Sequence, residues 1–150
     1  ATSSDASGIS ETTLSDIIGL TFDSANFTDY QGAIAAEAGI ADVAALQALI
    51  DRVDASVLAF DGVQLATLTG DASSITAESL ADIIGLTFNS ADLTAYQDAI
   101  AAQASIADVA ALQTLIDSID ASLSAFAAVQ LAATSSDASG ISETTLSDII

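Results

Sequence analysis

The chain repeats itself with a period of 66 residues, and this periodicity constrains its fold more than any other feature. Residues 1–66 align with residues 67–132 without a gap, and 42 of the 66 aligned positions are identical. Residues 133–150 then repeat residues 1–18 letter for letter. Periods of this length are typical of arrays whose supersecondary units bury part of their cores against neighbouring units. We therefore expect a module at 1–66, a second at 67–132 and the start of a third at 133–150, within a longer tandem array.

Two helical patterns occupy the first half of each module. The first begins with Ser10 as its cap, and one face carries Leu14, Ile17 and Ile18 at spacings of three and four. The second begins near Asp23. Its apolar face carries Phe27, Tyr30, Ile34 and Ala38, and the corresponding tyrosine of the second module is Tyr96. This placement predicts that both tyrosines are core residues, and Gly39 follows where a helix often ends.

The third pattern is the most regular, because apolar residues alternate at spacings of three and four like the a and d positions of a heptad. The seam consists of Val43, Leu46, Ile50, Val53 and Val57 in the first module, and of Val109, Leu112, Ile116, Ile119 and Leu123 in the second. It predicts a bundle helix of about 25 residues. Residues 56–69 also have some β-strand character, but the matching SLSAFAAVQLAATS favours helix. Six apolar residues near the module ends are candidates for packing between modules: Phe60, Val63, Leu65, Phe126, Val129 and Leu131.

These patterns predict an all-α protein in which tandem three-helix-bundle modules of about 66 residues form a linear array. Short links rich in Ser, Thr, Gly and Asp, such as ATLTGDASS, separate the modules.

One stretch, YQGAIAAEAGIADVAALQALI, resembles the GA module, a three-helix domain of bacterial surface proteins known for binding serum albumin. The matching residues in the first module are Tyr30, Ala33, Ile34, Ile40, Val43, Ala45, Leu46 and Ile50. The same match recurs at Tyr96, Ala99, Ile100, Ile106, Val109, Ala111, Leu112 and Ile116. The resemblance implies three-helix bundles in tandem on a cell surface. That family is usually rich in Lys, which this chain lacks, so albumin binding is not carried over.

Charge is the strongest compositional signal. Asp and Glu number 21 against the single cation Arg52, which gives a formal net charge of −20. Such a chain has no cationic face for nucleic acid or for an anionic membrane surface. No stretch approaches the ~20 consecutive apolar residues of a membrane span. At marine ionic strength the Debye length falls to roughly 3–5 Å, so most of the repulsion between carboxylates is screened. Such a surface suits salty water outside a cell or a salt-rich cytoplasm.

Few residues are available for chemistry, because the chain has no His and no Cys. Asp51 and Asp54 share a helix flank and could form a paired-carboxylate site, but a solvated acidic face is the favoured interpretation. Arg52 could pair with either of them. No calcium-loop motif is present, so we expect no cofactor and at most a diffuse association of Ca²⁺ or other cations. The residues indicate that the chain is not an enzyme.

Two functions fit these features. The favoured one is a structural repeat segment of a giant acidic extracellular protein, which forms a surface filament, cable or adhesin stalk. Its expected partners are neighbouring modules and other copies of the chain. The alternative is a multivalent array that recognises a host or matrix protein through avidity. Binding modules should expose an apolar or aromatic patch beyond the core, whereas filament modules should show contacts along the array or between chains.

Overall fold

The computed structural model describes residue 6, residues 8–135 and residues 137–149. Within these residues the fold is all-helical and contains no β-strand, which confirms the all-α part of the prediction. The helices are α1 (Glu11–Ser15), α2 (Phe27–Ala36), α3 (Val43–Thr69), α4 (Ala77–Asp82), α5 (Leu93–Ala101), α6 (Val109–Ser135) and α7 (Glu143–Ser147). Short 3-10 turns at Ser24–Asn26 and Ser90–Asp92 precede α2 and α5.

The chain divides into two compact units whose boundary does not coincide with the sequence repeat. The first unit comprises Ala1–Ala59 together with Asp82–Ile84, and the second comprises Phe60–Ala81 together with Gly85–Ile150. The boundary falls within α3, so the last ten residues of this helix belong to the second unit. The final residues of the first sequence repeat therefore pack with residues of the second repeat.

In the first unit, α1, α2 and α3 contribute side chains to one hydrophobic cluster. The buried members are Leu14, Tyr30, Leu46, Ile50 and Val53. Partly buried apolar residues pack around them: Ile9, Ile17, Leu20, Phe22, Phe27, Ala33, Ile34 and Val57. The prediction that Tyr30 is a core residue is confirmed, because none of its surface is exposed.

The first helix is shorter than the sequence pattern predicts. Ser10 caps it as expected, accepting a hydrogen bond from the Thr13 amide, but the helix ends at Ser15. Tight turns follow, and Gly19 adopts a φ of 87°, a conformation that an L-residue with a Cβ rarely adopts. As a result Ile18 is 95% exposed, and its predicted place on the apolar face is wrong.

The end of α2 also differs from the prediction. The helix ends at Ala36, and Glu37 has an extended backbone, so Ala38 lies outside the helix and is exposed. Gly39 does not have the positive φ of a helix-ending glycine. Asp42 begins the next helix instead, because its carboxylate accepts a hydrogen bond from the Ala45 amide at 2.8 Å.

The third pattern forms the longest helices of each repeat, and both α3 and α6 contain 27 residues. The helical interpretation of residues 56–69 is confirmed, since all of them lie in α3. The helix continues through ATLT, which the sequence analysis assigned to a link. It ends at Thr69, and Gly70 follows with a φ of 67°. The Asp71 amide donates back to the Ala66 carbonyl at 3.2 Å.

Several buried residues of the second unit stand 66 positions after buried residues of the first. Helices α5 and α6 contact each other, and Tyr96 is 1% exposed, which confirms its predicted core position. Other buried residues of this unit are Leu80, Ile100, Ile106, Leu112 and Ile116. In the same unit α7 contacts α6, and Ser142 caps α7 through the Thr145 amide as Ser10 caps α1.

Candidate functional site

A hydrogen-bonded cluster around Tyr30 joins three segments of the first unit. The Tyr30 hydroxyl donates to Oδ1 of Asp54 in α3 and accepts from the Asp23 amide at 3.0 Å. The side-chain amide of Asn26 donates to the same Asp54 oxygen at 2.8 Å. The rings of Phe22 and Tyr30 pack edge to face, with their centroids 6.2 Å apart. The cluster fixes the turn before α2 on the middle of α3.

The second unit contains a similar cluster around Tyr96, but Asp92 stands in place of Asn26 and accepts from Asn89 instead of donating to the carboxylate. The Tyr96 hydroxyl donates to Oδ1 of Asp120 and accepts from the Asn89 amide at 3.2 Å. Burial, followed by the hydrogen bond to the neighbouring carboxylate, raises the pKa of Tyr30 and of Tyr96 to about 12. The two phenols therefore stay protonated as donors across the physiological pH range, as expected of structural hydrogen bonds.

Two glutamines in each repeat make further contacts at fixed positions. The amide oxygen of Gln47 accepts from the Thr21 backbone at 2.8 Å, and its nitrogen donates to the Thr21 carbonyl at 2.9 Å. Gln113 makes the same pair of bonds to Thr87. Gln31 in α2 donates from its side-chain amide to the Ile9 carbonyl. Its counterpart in α5, Gln97, donates to the Ile75 carbonyl. The pattern of apolar residues does not predict these bridging glutamines, although glutamine occupies the equivalent positions of both repeats.

The acidic residues considered for chemistry serve local structure. Asp51 accepts from the side chain of Gln47 at 2.7 Å, while Asp54 accepts from Tyr30 and Asn26. Within the described part of the chain, no three acidic side chains group closely enough to hold a metal ion. In the links, backbone hydrogen bonds from Ser73 and Ser139 lower the pKa of Asp71 and Asp137.

Arg52 does not pair as the sequence suggested. Its guanidinium contacts Oε1 of Glu37 at 3.0 Å rather than Asp51 or Asp54 on its own helix. Neighbours three or four apart on a helix are the usual pairs, but here the chain after α2 brings Glu37 within reach. Both side chains are substantially exposed, so this ion pair contributes little to stability.

The seam residues are not buried equally along α3 and α6. Leu46, Ile50, Val53, Leu112 and Ile116 are buried, and Val57, Val109 and Ile119 are half-buried. At the ends of the seam, Val43 is 41% exposed and Leu123 is 37% exposed. The periodic pattern thus identifies the apolar side of each helix, but the depth of burial depends on what lies against each position.

The six candidates for packing between modules also differ between the copies. Val63 is 1% exposed and Phe60 is half-buried in the second unit, while Leu65 is 59% exposed. In α6 the counterpart of Val63, Val129, is only half-buried, whereas Phe126 and Leu131 are 50% and 69% exposed. Phe126 and Val129 in α6 are therefore more exposed than Phe60 and Val63 in α3, whereas the two leucines are exposed in both helices.

Helix α6 also meets the length and hydropathy requirements of a membrane-crossing helix. Core helices of soluble proteins meet the same requirements, so this property alone is weak support for a membrane span. The helix contributes the buried residues Leu112 and Ile116 to the second unit.

Comparison with known proteins gives no assignment. No protein-family model, curated protein or solved structure matches the chain.

Proposed function

We propose that the chain is a structural segment of an acidic extracellular filament, cable or adhesin stalk, built from tandem three-helix modules of 66 residues. One observation carries the proposal: the same set of long-range hydrogen bonds occurs twice in the chain, offset by 66 residues. A chain selected for a regular array needs identical modules, each of which holds its helices together in the same way.

The recurring hydrogen bonds support modules with the proposed limits. The bonds of the first set link residues between Ile9 and Asp54, and those of the second set link residues between Ile75 and Asp120. Every one of them closes within residues 1–66 or within residues 67–132. In each repeat they join the segments that precede and follow a short first helix to a second helix of nine or ten residues and to a long third helix.

The surface chemistry supports a location in salty surroundings outside the cell. The chain carries a net charge of −20 with a single cation, so its folded state is under electrostatic self-repulsion that salt relieves. Trypsin-like proteases cleave after Lys and Arg, and Arg52 is the one such residue in the sequence. Both properties suit a protein that persists outside a cell.

The use of the polar side chains supports a structural role over catalysis. Asp54 and Asp120 accept from buried tyrosines, and Asp42 and Asp108 accept from backbone amides at the starts of α3 and α6. These carboxylates hold helices in place.

Chains of increasing length test this function. The parent chain is compared with versions extended by one and by two further copies of residues 67–132, and with a control extended by a Gly/Ser segment of equal length. We expect small-angle X-ray scattering to show a constant increase in maximum dimension for each added copy. We also expect the free energy of unfolding to rise with each copy, because each copy adds an interface to its neighbour.

The opposite outcomes point to the alternative, an array of separate binding modules. Two results together would contradict a continuous structural array. The maximum dimension would increase as in the Gly/Ser control, and the free energy of unfolding would not depend on the number of copies. Binding of a host or matrix protein whose affinity grows with the number of copies would favour the multivalent array instead.

A further inference from the structure

The last ten residues of α3, 60–69, lie in the first sequence repeat but belong to the second unit. We call them the α3 end. Val63 and Ala66 are 1% and 2% exposed, and Thr67 is buried as well. Their spacings of three and four place them on one face of the helix. Leu65 lies on another face and is 59% exposed. One face of the α3 end is therefore buried.

Two contacts identify the segment that lies beside the α3 end. The side-chain amide of Gln64 donates to the carbonyl of Ile106 at 3.4 Å. A Cβ built on Gly70, the residue after α3, would lie 3.9 Å from the Ala101 carbonyl oxygen. Ala101 is the last residue of α5, and Ile106 lies between α5 and α6. The α3 end therefore lies beside the segment that joins these two helices.

Apolar residues of α5 and of this joining segment are more deeply buried than their counterparts in the first repeat. Ile100 is fully buried and Ile106 is 5% exposed. Their counterparts are Ile34, which is half-buried, and Ile40, which is 37% exposed. Because the residue type is the same in both repeats, the difference comes from the neighbouring segments. In the second unit the α3 end is such a neighbour.

The core of the first unit uses no residue of the α3 end. Its buried cluster extends from Leu14 to Val53, and Val57 is the last residue that packs against it. Beyond this point α3 contributes Val63 and Ala66 to the buried residues of the second unit. One helix therefore carries core residues of both units, its first part for one and its last part for the other.

We propose that the second repeat takes part of its core from the α3 end, so that its stability depends on the repeat before it. The core of the first repeat closes without these ten residues, and support passes along the chain from one repeat to the following one. Stability that depends on contacts between neighbouring repeats is the general property of repeat arrays. This inference rests on the proposed function and names the surface through which one repeat of the array supports the next.

Hydrogen exchange of the full chain, followed by mass spectrometry, tests the proposal because it reports the stability of each helix separately. Helices α2 and α5 differ in sequence, so their peptides are distinguishable by mass. The variant is Val63→Ala, a change within the first sequence repeat. We expect exchange in α5 to become at least about tenfold faster, because two buried methyl groups are lost. Exchange in α2 should stay within about twofold of the parent.

Two variants of the same helix serve as controls. Leu65→Ala removes a larger apolar side chain two residues further on, but this side chain is exposed. It should change exchange in both α2 and α5 by no more than about twofold. Ile50→Ala truncates a residue of the first unit's core and should accelerate exchange in α2 by at least about tenfold.

Two results would overturn the proposal: Val63→Ala leaves α5 as protected as in the parent, or it accelerates exchange in α2 as much as in α5. Failure here is distinguishable from failure of the proposed function. If α5 is unaffected while chains with added copies still lengthen by a constant step, the structural array stands and support through the α3 end is excluded. If α5 loses protection while those chains behave like the Gly/Ser control, the proposed function fails and the role of the α3 end stands.

Discussion

Tyr30 donates its phenolic hydrogen to the carboxylate of Asp54, which lies 24 residues later in the chain. The donor is fully buried, and the acceptor lies in the middle of α3. The same relationship joins Tyr96 to Asp120 at the same separation. This long-range polar bond therefore recurs with the 66-residue period of the sequence.

Removal of either hydroxyl should destabilise the protein. We expect Tyr30→Phe to lower the free energy of unfolding by ~1–2 kcal/mol, because Asp54 loses a buried donor while the aromatic ring is retained. Tyr96→Phe should have an effect of similar size. Urea denaturation followed by circular dichroism measures both. A change of less than a few tenths of a kcal/mol in both variants would show that the Tyr–Asp bonds are not stabilising.

The tyrosines also predict a dependence of stability on alkaline pH. Their folded-state pKa of about 12 lies above the ordinary value of 10, so the folded protein holds these protons more tightly than the unfolded chain does. This stabilisation is fully present below pH 10, and it is lost as the pH rises from 10 to 12. With two Tyr and no Trp in the sequence, absorbance at 295 nm reports these groups alone. A folded-state midpoint near pH 10 would contradict the prediction.

The short first helix predicts opposite outcomes for two neighbouring apolar residues. Leu14 is 2% exposed in the core of the first unit, so Leu14→Ala should lower the free energy of unfolding by ~2–4 kcal/mol. Ile18 is 95% exposed, and Ile18→Ala should change it by less than about 0.5 kcal/mol. Thermal denaturation of the two variants compares them directly. Equal losses would indicate that α1 extends through Ile18 in solution.

Salt should stabilise the folded chain. A net charge of −20 with one cation makes self-repulsion the dominant electrostatic contribution. Because salt screens this repulsion, the melting temperature should be higher in 1 M NaCl than in 10 mM NaCl. Because no three acidic residues of the described chain converge on one point, CaCl₂ and MgCl₂ should raise it equally at equal concentration. A rise that saturates at micromolar Ca²⁺ and is absent with Mg²⁺ would instead indicate a formed calcium site.

The sequence by itself determined the helical class, the 66-residue period and the apolar side of the long helices. These depend on local propensity and on spacings of three and four, which each segment carries independently of its surroundings. It also placed Tyr30 and Tyr96 in the core, because both lie on the apolar stripe of their helix. The same local pattern wrongly placed Ile18 on the apolar face of the first helix. That helix ends at Ser15, and Gly19 adopts a left-handed conformation in the turns that follow.

Only the tertiary structure decided which copy of each repeated surface is covered. Val63 and Val129 stand in the same VQLA sequence, yet the first is buried and the second is half-buried. The partner of Arg52 was likewise out of reach of sequence reasoning, since Glu37 lies 15 residues away and approaches only through the turn after α2. Burial and pairing are properties of contacts between segments, and identical residues differ in both when different segments lie against them.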